Sequence, residues 1–197
     1  MNITDTIRHR AARRAYGYLW KEARTLTGLG ELTALWLEGA ITYQPGYIGG
    51  PSPETRPLIS YLAAYNRAGL FTTCSQPATE SPTGAQRAWV SAFCNEAAID
   101  AIAVRAARAG LVVLCAAPGQ DGAAELEVTH HHGLFTTFAV PMSAEYIDDY
   151  YAADCPAAIN AIRAAWRLDI IDLTWGRNSV LWDCLAAALN ATVRDRP

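Results

Sequence analysis

The sequence predicts an α+β protein built on a single mixed β-sheet of about five or six strands, flanked by helices. Two observations carry that expectation. Short β-branched or aromatic runs bounded by turn residues recur near 70–74, 87–93, 111–117, 125–130, 134–140 and 168–173. Apolar residues at helical spacing bracket them at both ends of the chain and return after the second run. No fixed period links the segments, which excludes a solenoid. A chain of 197 residues suits one domain. The expected organisation is a single domain over 1–197, in which an N-terminal helical pair (about 4–39) packs on a mixed-sheet core (about 57–193).

Each element has a local reason. Thr4-Asp5 can cap a first helix running to about Leu26, with Ile7, Ala11, Ala15, Tyr18, Leu19 and Ala23 on one face. Gly28-Leu29-Gly30 should break it, and Glu31–Glu38 should form a second helix. Trp20 and Trp36 are expected to anchor the packing between the two. Residues 43–57, rich in Gly and Pro, read as a long loop. Tyr43 and Tyr47 favour an ordered loop lying across a pocket. Pro57 suits the first turn of a helix that Asn66 and Gly69 end. A strand over Leu70–Cys74 follows, then a turn-rich loop at 77–85, then a strand over Arg87–Phe93. Asn95 caps a helix over 96–109 that Gly110 terminates. Leu111–Ala117 is continuously apolar, the pattern of a central strand. Glu125–His130 and Leu134–Val140 flank His132-Gly133, as a hairpin or as neighbouring strands. A helix from Ser143 through Tyr151, a helix from Cys155-Pro156 to about Trp166, a strand over Leu168–Leu173 and a helix capped by Asn178 complete the chain.

Composition excludes several function classes. Hydrophobic residues make up 51% of the chain and charged residues 18%. No run approaches the ~20 apolar residues that span a bilayer, and the start lacks the apolar stretch of a secretory signal. A cytoplasmic location without a membrane partner is expected. A net charge of −3 argues against global attraction to nucleic acid. Arg8, Arg10, Arg13, Arg14, Lys21 and Arg24 crowd the first helix as a solvated face, with a docking arm as the alternative. Cys74, Cys94, Cys115, Cys155 and Cys184 include no Cys-x-x-Cys pair, so they read as reduced apolar residues. No metal and no cofactor are expected.

Three constellations could carry chemistry. In the first, Thr73, Ser75 and Gln76 end one strand while Gln86 and Arg87 open the next. Antiparallel pairing would bring their polar ends together, and Arg87 could fork onto a carboxylate or phosphate. In the second, His130 and His132 share a strand face, with His131 opposite. They read as a polar strand end, with metal binding or acid–base work as alternatives. In the third, Asp169, Asp172 and Arg177 lead into a helix N-terminus; structural capping is the leading reading, with anion binding, which such places favour, as the alternative. Neither phosphate-binding glycine fingerprint is present.

The segments Leu19-Trp20, Thr25-Leu26, Leu32-Thr33-Ala34, Trp36-Leu37-Glu38-Gly39, Asn66-Arg67-Ala68-Gly69, Thr72-Thr73-Cys74-Ser75-Gln76-Pro77, Gln86-Arg87-Ala88, Trp175-Gly176-Arg177 and Leu181-Trp182 resemble an uncharacterised domain-of-unknown-function family. That family is met in actinobacteria such as streptomycetes and in their phages. Its signature runs Asn-x-x-Gly, then Thr-x-x-Ser-Gln-Pro, then Gln-Arg. Ala78 stands where relatives are expected to carry glycine. The resemblance implies no activity. It implies that Ser75-Gln76-Pro77 and Gln86-Arg87 are site positions, and it allows a phage or mobile-element setting.

The leading expectation is therefore a small-ligand binding protein for an anionic or nucleotide-like molecule. The pocket would combine Thr73, Ser75, Gln76, Gln86, Arg87 and Arg177, walled by Tyr43 and Tyr47. The alternatives are a hydrolase or transferase using His131 or His132 beside that corner, and an interaction module acting through the basic first helix or Glu145–Tyr151.

Overall fold

A helix, α1 (Ile3–Glu22), opens the chain in the computed structural model, which describes residues 3–190, with side chains from residue 5 onward. The Thr25 hydroxyl accepts from the Gly28 N–H at 3.0 Å and starts α2 (Leu26–Leu37). The break expected at Gly28-Leu29-Gly30 is absent, because both glycines lie inside α2. Gly30 instead marks the crossing of α2 with α3 (Ile59–Arg67), where an added Cβ would collide with the Asn66 carbonyl. The two tryptophans anchor the following loop rather than each other. Trp20 Nε1 donates to the Tyr43 carbonyl at 3.1 Å, and Trp36 Nε1 to that of Gly49 at 3.2 Å. Part of the expected loop is a 3₁₀ turn over Pro53–Leu58 that feeds α3.

Among the described residues, eight strands follow: β1 (Phe71–Gln76), β2 (Thr79–Ser81), β3 (Gly84–Gln86), β4 (Trp89–Cys94), β5 (Leu111–Ala116), β6 (Leu126–His131), β7 (Leu134–Ala139) and β8 (Trp166–Asp172). They form two four-stranded antiparallel sheets, ordered β1-β4-β8-β5 and β2-β3-β6-β7. This corrects the expected single mixed sheet of five or six strands; the α+β class stands. The physical reason lies in residues 77–87. Residues 77–85 read as a loop, but Thr79↔Gln86 and Ser81↔Gly84 close a miniature hairpin, and β3 pairs with β6. Three-residue strands leave no periodicity to read. The apolar run at β5 is also not central. It is an edge strand, and β4 and β8 hold the middle. β5 reads as central because both its faces are covered: Leu111 and Val113 join the helical core, while Val112 and Leu114 pack under the second sheet.

Several boundaries fall where the sequence puts them. Asn95 Oδ1 accepts from the Ala98 N–H at 2.9 Å and starts α4 (Glu96–Ala109). Gly110 ends it in the left-handed region at φ 68°. His132 (φ 50°) and Gly133 (φ 77°) turn β6 back into β7 as a hairpin. α5 (Ala144–Tyr151) begins after Ser143 as expected. The next helix is shorter, α6 (Ile159–Arg163). α7 (Val180–Ala188) lies two residues beyond Asn178, whose Oδ1 accepts from Ala78 N–H at 2.9 Å and Trp182 Nε1 at 3.1 Å. Ala78 is thus clipped to the far end of the chain without a positive φ, so glycine is not needed there. The expected end of the last helix at Thr192 lies outside the described residues.

The main core joins α2, α3, α4 and α7 to one face of the β1-β4-β8-β5 sheet. The Tyr65 hydroxyl donates to the Trp182 carbonyl within it. On the opposite face, Trp89 and Ile171 pack against Val128 and Ala139 of the second sheet.

Candidate functional site

Strand register defines this second face. Gln76, Trp89, Ile171 and Val112 form one row across β1, β4, β8 and β5, and Cys74, Ser91, Asp169 and Leu114 form the next. Direct partners in antiparallel strands project to the same side. The second sheet covers the Trp89 end of this face. Beside it, at Cys74 and Ser91, the face opens into a cavity of about 480 Å³. The other walls are residues 44–47, Phe138 and Val140 from the end of β7, Met142, and Tyr146, Tyr150 and Tyr151 of α5.

A β-bulge at Thr73 shapes one wall. The register shifts between Thr72 and Cys74, which leaves Thr73 unpaired in the ladder. Its hydroxyl donates to the Ser91 carbonyl at 3.3 Å, and its carbonyl accepts from the Tyr47 hydroxyl at 2.7 Å. The Tyr47 ring packs on Trp36 at 5.0 Å. Tyr47 therefore pins the loop across the bulge, and burial keeps its phenol protonated far above neutral pH.

Aromatic side chains dominate the lining: Trp20, Tyr47, Phe71, Trp89 and Phe138 join the three tyrosines of α5. Among the described residues, no Lys, Arg, His, Asp or Glu lines the cavity. Charge lies just behind the wall. Asp169 is fully buried, and its Oδ1 accepts from Trp89 Nε1 at 2.6 Å. Its Oδ2 has no hydrogen-bond partner. Burial pushes its pKa up to about 6, against the opposing pull of the Trp89 indole and the nearby Ser91 hydroxyl. Gln44, 6% exposed and part of the cavity wall, also has an unpartnered Oε1. The Cys74 thiol opens on the cavity but is crowded on its other sides. Desolvation, and then the Asp169 charge, raise it to about 11, which keeps it a weak nucleophile at neutral pH.

The sequence-predicted residues go to several places. Thr73 and Tyr47 line this cavity. Tyr43 is buried behind it, its ring 5.5 Å from that of His9. Ser75 points with Val90 to the helical side, where it lines a smaller cleft of about 170 Å³ with Thr33, Glu54 and Thr55. Gln76 stitches the two sheets together. Its Nε2 donates to the carbonyls of Arg87 (3.0 Å) and Val128 (2.9 Å), and its Oε1 accepts from the Thr129 hydroxyl at 3.1 Å. Gln86 Oε1 accepts from the Thr79 hydroxyl at 3.1 Å. Arg87 lies 4.1 Å over the Trp175 ring and donates to the Glu127 carbonyl at 2.7 Å. Arg177 forks onto Asp172 at 2.6 and 2.7 Å. The Ser75 hydroxyl and the Arg87 guanidinium thus sit on opposite faces and share no niche.

The histidines lie elsewhere too. His130 packs edge-on against Trp175 at 4.8 Å, and the rings of His131 and His132 are 4.3 Å apart. His132 belongs to the turn, so His130 and His132 do not share a strand face. An open groove of about 970 Å³ runs between α1 and residues 39–51, past Arg8 and His9. Gln44, Ser91 and the α5 tyrosines escape sequence reasoning, because only strand register and the placement of α5 bring them together. Asp169 carries one legible signal: a carboxylate inside an apolar strand run.

Two antiparallel sheets, a helical layer on one face and an aromatic cavity on the other define a two-sheet α+β protein with a small-molecule-sized chamber. The chain belongs to the family described as "Domain of unknown function (DUF6919)", which it matches over residues 16–192. No curated protein matches the sequence.

Proposed function

We propose that the protein binds a small molecule in the cavity beside Cys74 and Ser91. The observation that carries this reading is a chamber of about 480 Å³ with aromatic walls and unpartnered polar atoms at its edge. Ligand sites are commonly of this size and composition, mostly apolar with a few convergent polar groups. An anionic or nucleotide-like ligand has less support, because no cationic side chain lines the cavity and Arg87 and Arg177 already hold internal partners. A hydrolase or transferase also has less support: no histidine lines the cavity, and the Cys74 thiol is held protonated. A phage setting, in which such a binder removes a small signal molecule, fits by analogy with the family resemblance.

Thermal-shift screening of a fragment panel that includes nucleotides tests the proposal on wild type, Cys74→Phe and Arg87→Ala. Hits are expected to stabilise wild type and Arg87→Ala alike and to lose their effect on Cys74→Phe, whose ring intrudes into the chamber beside Ser91. A nucleotide that stabilises Cys74→Phe but not Arg87→Ala would overturn the assignment and return the site to the polar corner.

A further inference from the structure

Resting on that binding reading, we propose that the ligand is a cation: a protonated amine on a flat apolar body, its ammonium end directed at Asp169 beneath Trp89 and Ser91. Three independent observations converge on it.

The first is an uncompensated buried charge. Asp169 is fully buried, yet among the described residues no cationic side chain pairs with it. Arg167 lies two positions along on the same strand face, but it donates to the carbonyls of Met142 (2.5 Å) and Ala117 (2.9 Å). Arg87 is spent on the Glu127 carbonyl and the Trp175 ring. Buried carboxylates are ordinarily paired, because removing them from water is costly. The counter-charge that no described residue supplies is what a cationic ligand would bring.

The second is the sign of the unpaired atoms. Asp169 Oδ2 and Gln44 Oε1 are both acceptors, and neither has a partner. The unpartnered guanidinium nitrogens, Arg87 Nε and Arg167 Nε, belong to residues outside the cavity lining. Ser91 lines the cavity and is the direct ladder partner of Asp169, so its hydroxyl can accept from a ligand N–H. A ligand rich in donors fits this set, and an anion does not.

The third is the wall itself. Trp89 and the α5 tyrosines line the cavity, and among the described residues no positive side chain joins them there. Aromatic faces attract ammonium groups, more so where water is excluded. A charge behind the wall acts strongly at short range in such surroundings.

Calorimetric titration of the full chain near neutral pH decides the question with three probes that share one ring: tryptamine (cation), indole-3-acetamide (neutral) and indole-3-acetate (anion). Tryptamine is expected to bind at least tenfold tighter than either of the others. Asp169→Asn is expected to erase that preference while leaving the acetamide within about twofold. Should that variant fail to fold, the ranking of the three probes on wild type still decides. Equal or tighter binding of the acetamide or acetate, still lost in Cys74→Phe, overturns the cation and leaves the binding cavity standing. Silence from all three probes overturns the cation, and silence from the fragment panel as well removes the cavity reading.

Discussion

The two ends of the β1–β4 pair teach opposite lessons. At the Gln76–Trp89 end, polar groups are dense and nearly all are spent on the protein itself. Gln76, Arg87 and Thr129 tie one sheet to the other through bonds of 2.7 to 3.1 Å. At the Cys74–Ser91 end, polar groups are sparse, and two acceptors there, Asp169 Oδ2 and Gln44 Oε1, lack partners. A polar cluster in sequence therefore marks the seam between two sheets, whereas the chamber lies where aromatic residues from distant segments meet. Buried polar groups that are satisfied hold a fold together; those that are not are available to a ligand.

The contrast breaks most visibly at the seam. Gln76→Ala leaves the Arg87 carbonyl and the Thr129 hydroxyl without the partner Gln76 supplies, while the Val128 carbonyl keeps the Arg87 N–H at 2.8 Å. Its expected cost is on the order of 4 kcal/mol, from roughly 1–3 kcal/mol for each buried group left unpaired. Urea unfolding measures it, and a loss below about 1 kcal/mol would mean that water already reaches the seam.

Asp169 sharpens the comparison from the cavity side. Its carboxyl titrates near 6 in the folded chain, against an ordinary 3.8. The charged form is therefore the disfavoured one in the fold. Asp169 contributes fully to stability below about pH 4, and that contribution is lost as pH rises through 6. Asp169→Asn should remove this pH dependence and be more stable than wild type at pH 8. The expected gain is on the order of 3 kcal/mol, at ~1.4 kcal/mol per pH unit. Unfolding curves at pH 4 and pH 8 for both proteins check it, and parallel behaviour of the two would contradict the raised carboxyl.

Smaller effects lie further from the seam. Gly30→Ala, at the α2–α3 crossing, should cost about 2 kcal/mol by forcing the helices apart, read as a lowered urea midpoint. Arg87→Ala should cost about 1 kcal/mol through the lost Trp175 stacking and the unpaired Glu127 carbonyl. It should leave fragment binding unchanged. A ligand that loses its affinity in this variant would restore the polar corner as a site.

Much of the fold is legible from local signals. Asn95 and Gly110 bound α4 through capping chemistry, and His132-Gly133 turns a hairpin through its positive φ angles. What escapes is non-local. The β2–β3 hairpin is too short for any period, and its pairing with β6 is what splits the strands into two sheets. The site escapes for the same reason. Cys74, Ser91 and Asp169 belong to three strands, and only their register sets them in one row. Tyr47 and Thr73 are legible because a Gly/Pro loop with tyrosines and a polar strand end mark them locally. Their partners Gln44 and Tyr146 carry no such mark.

The most direct test of the cavity is a crystal structure with the most stabilising fragment bound. The expected result is density between Trp89, Ser91 and Tyr146, with Arg87 still on Trp175 and Arg177 still on Asp172. Density against Arg87 or Arg177, with the chamber beside Cys74 empty, would contradict it.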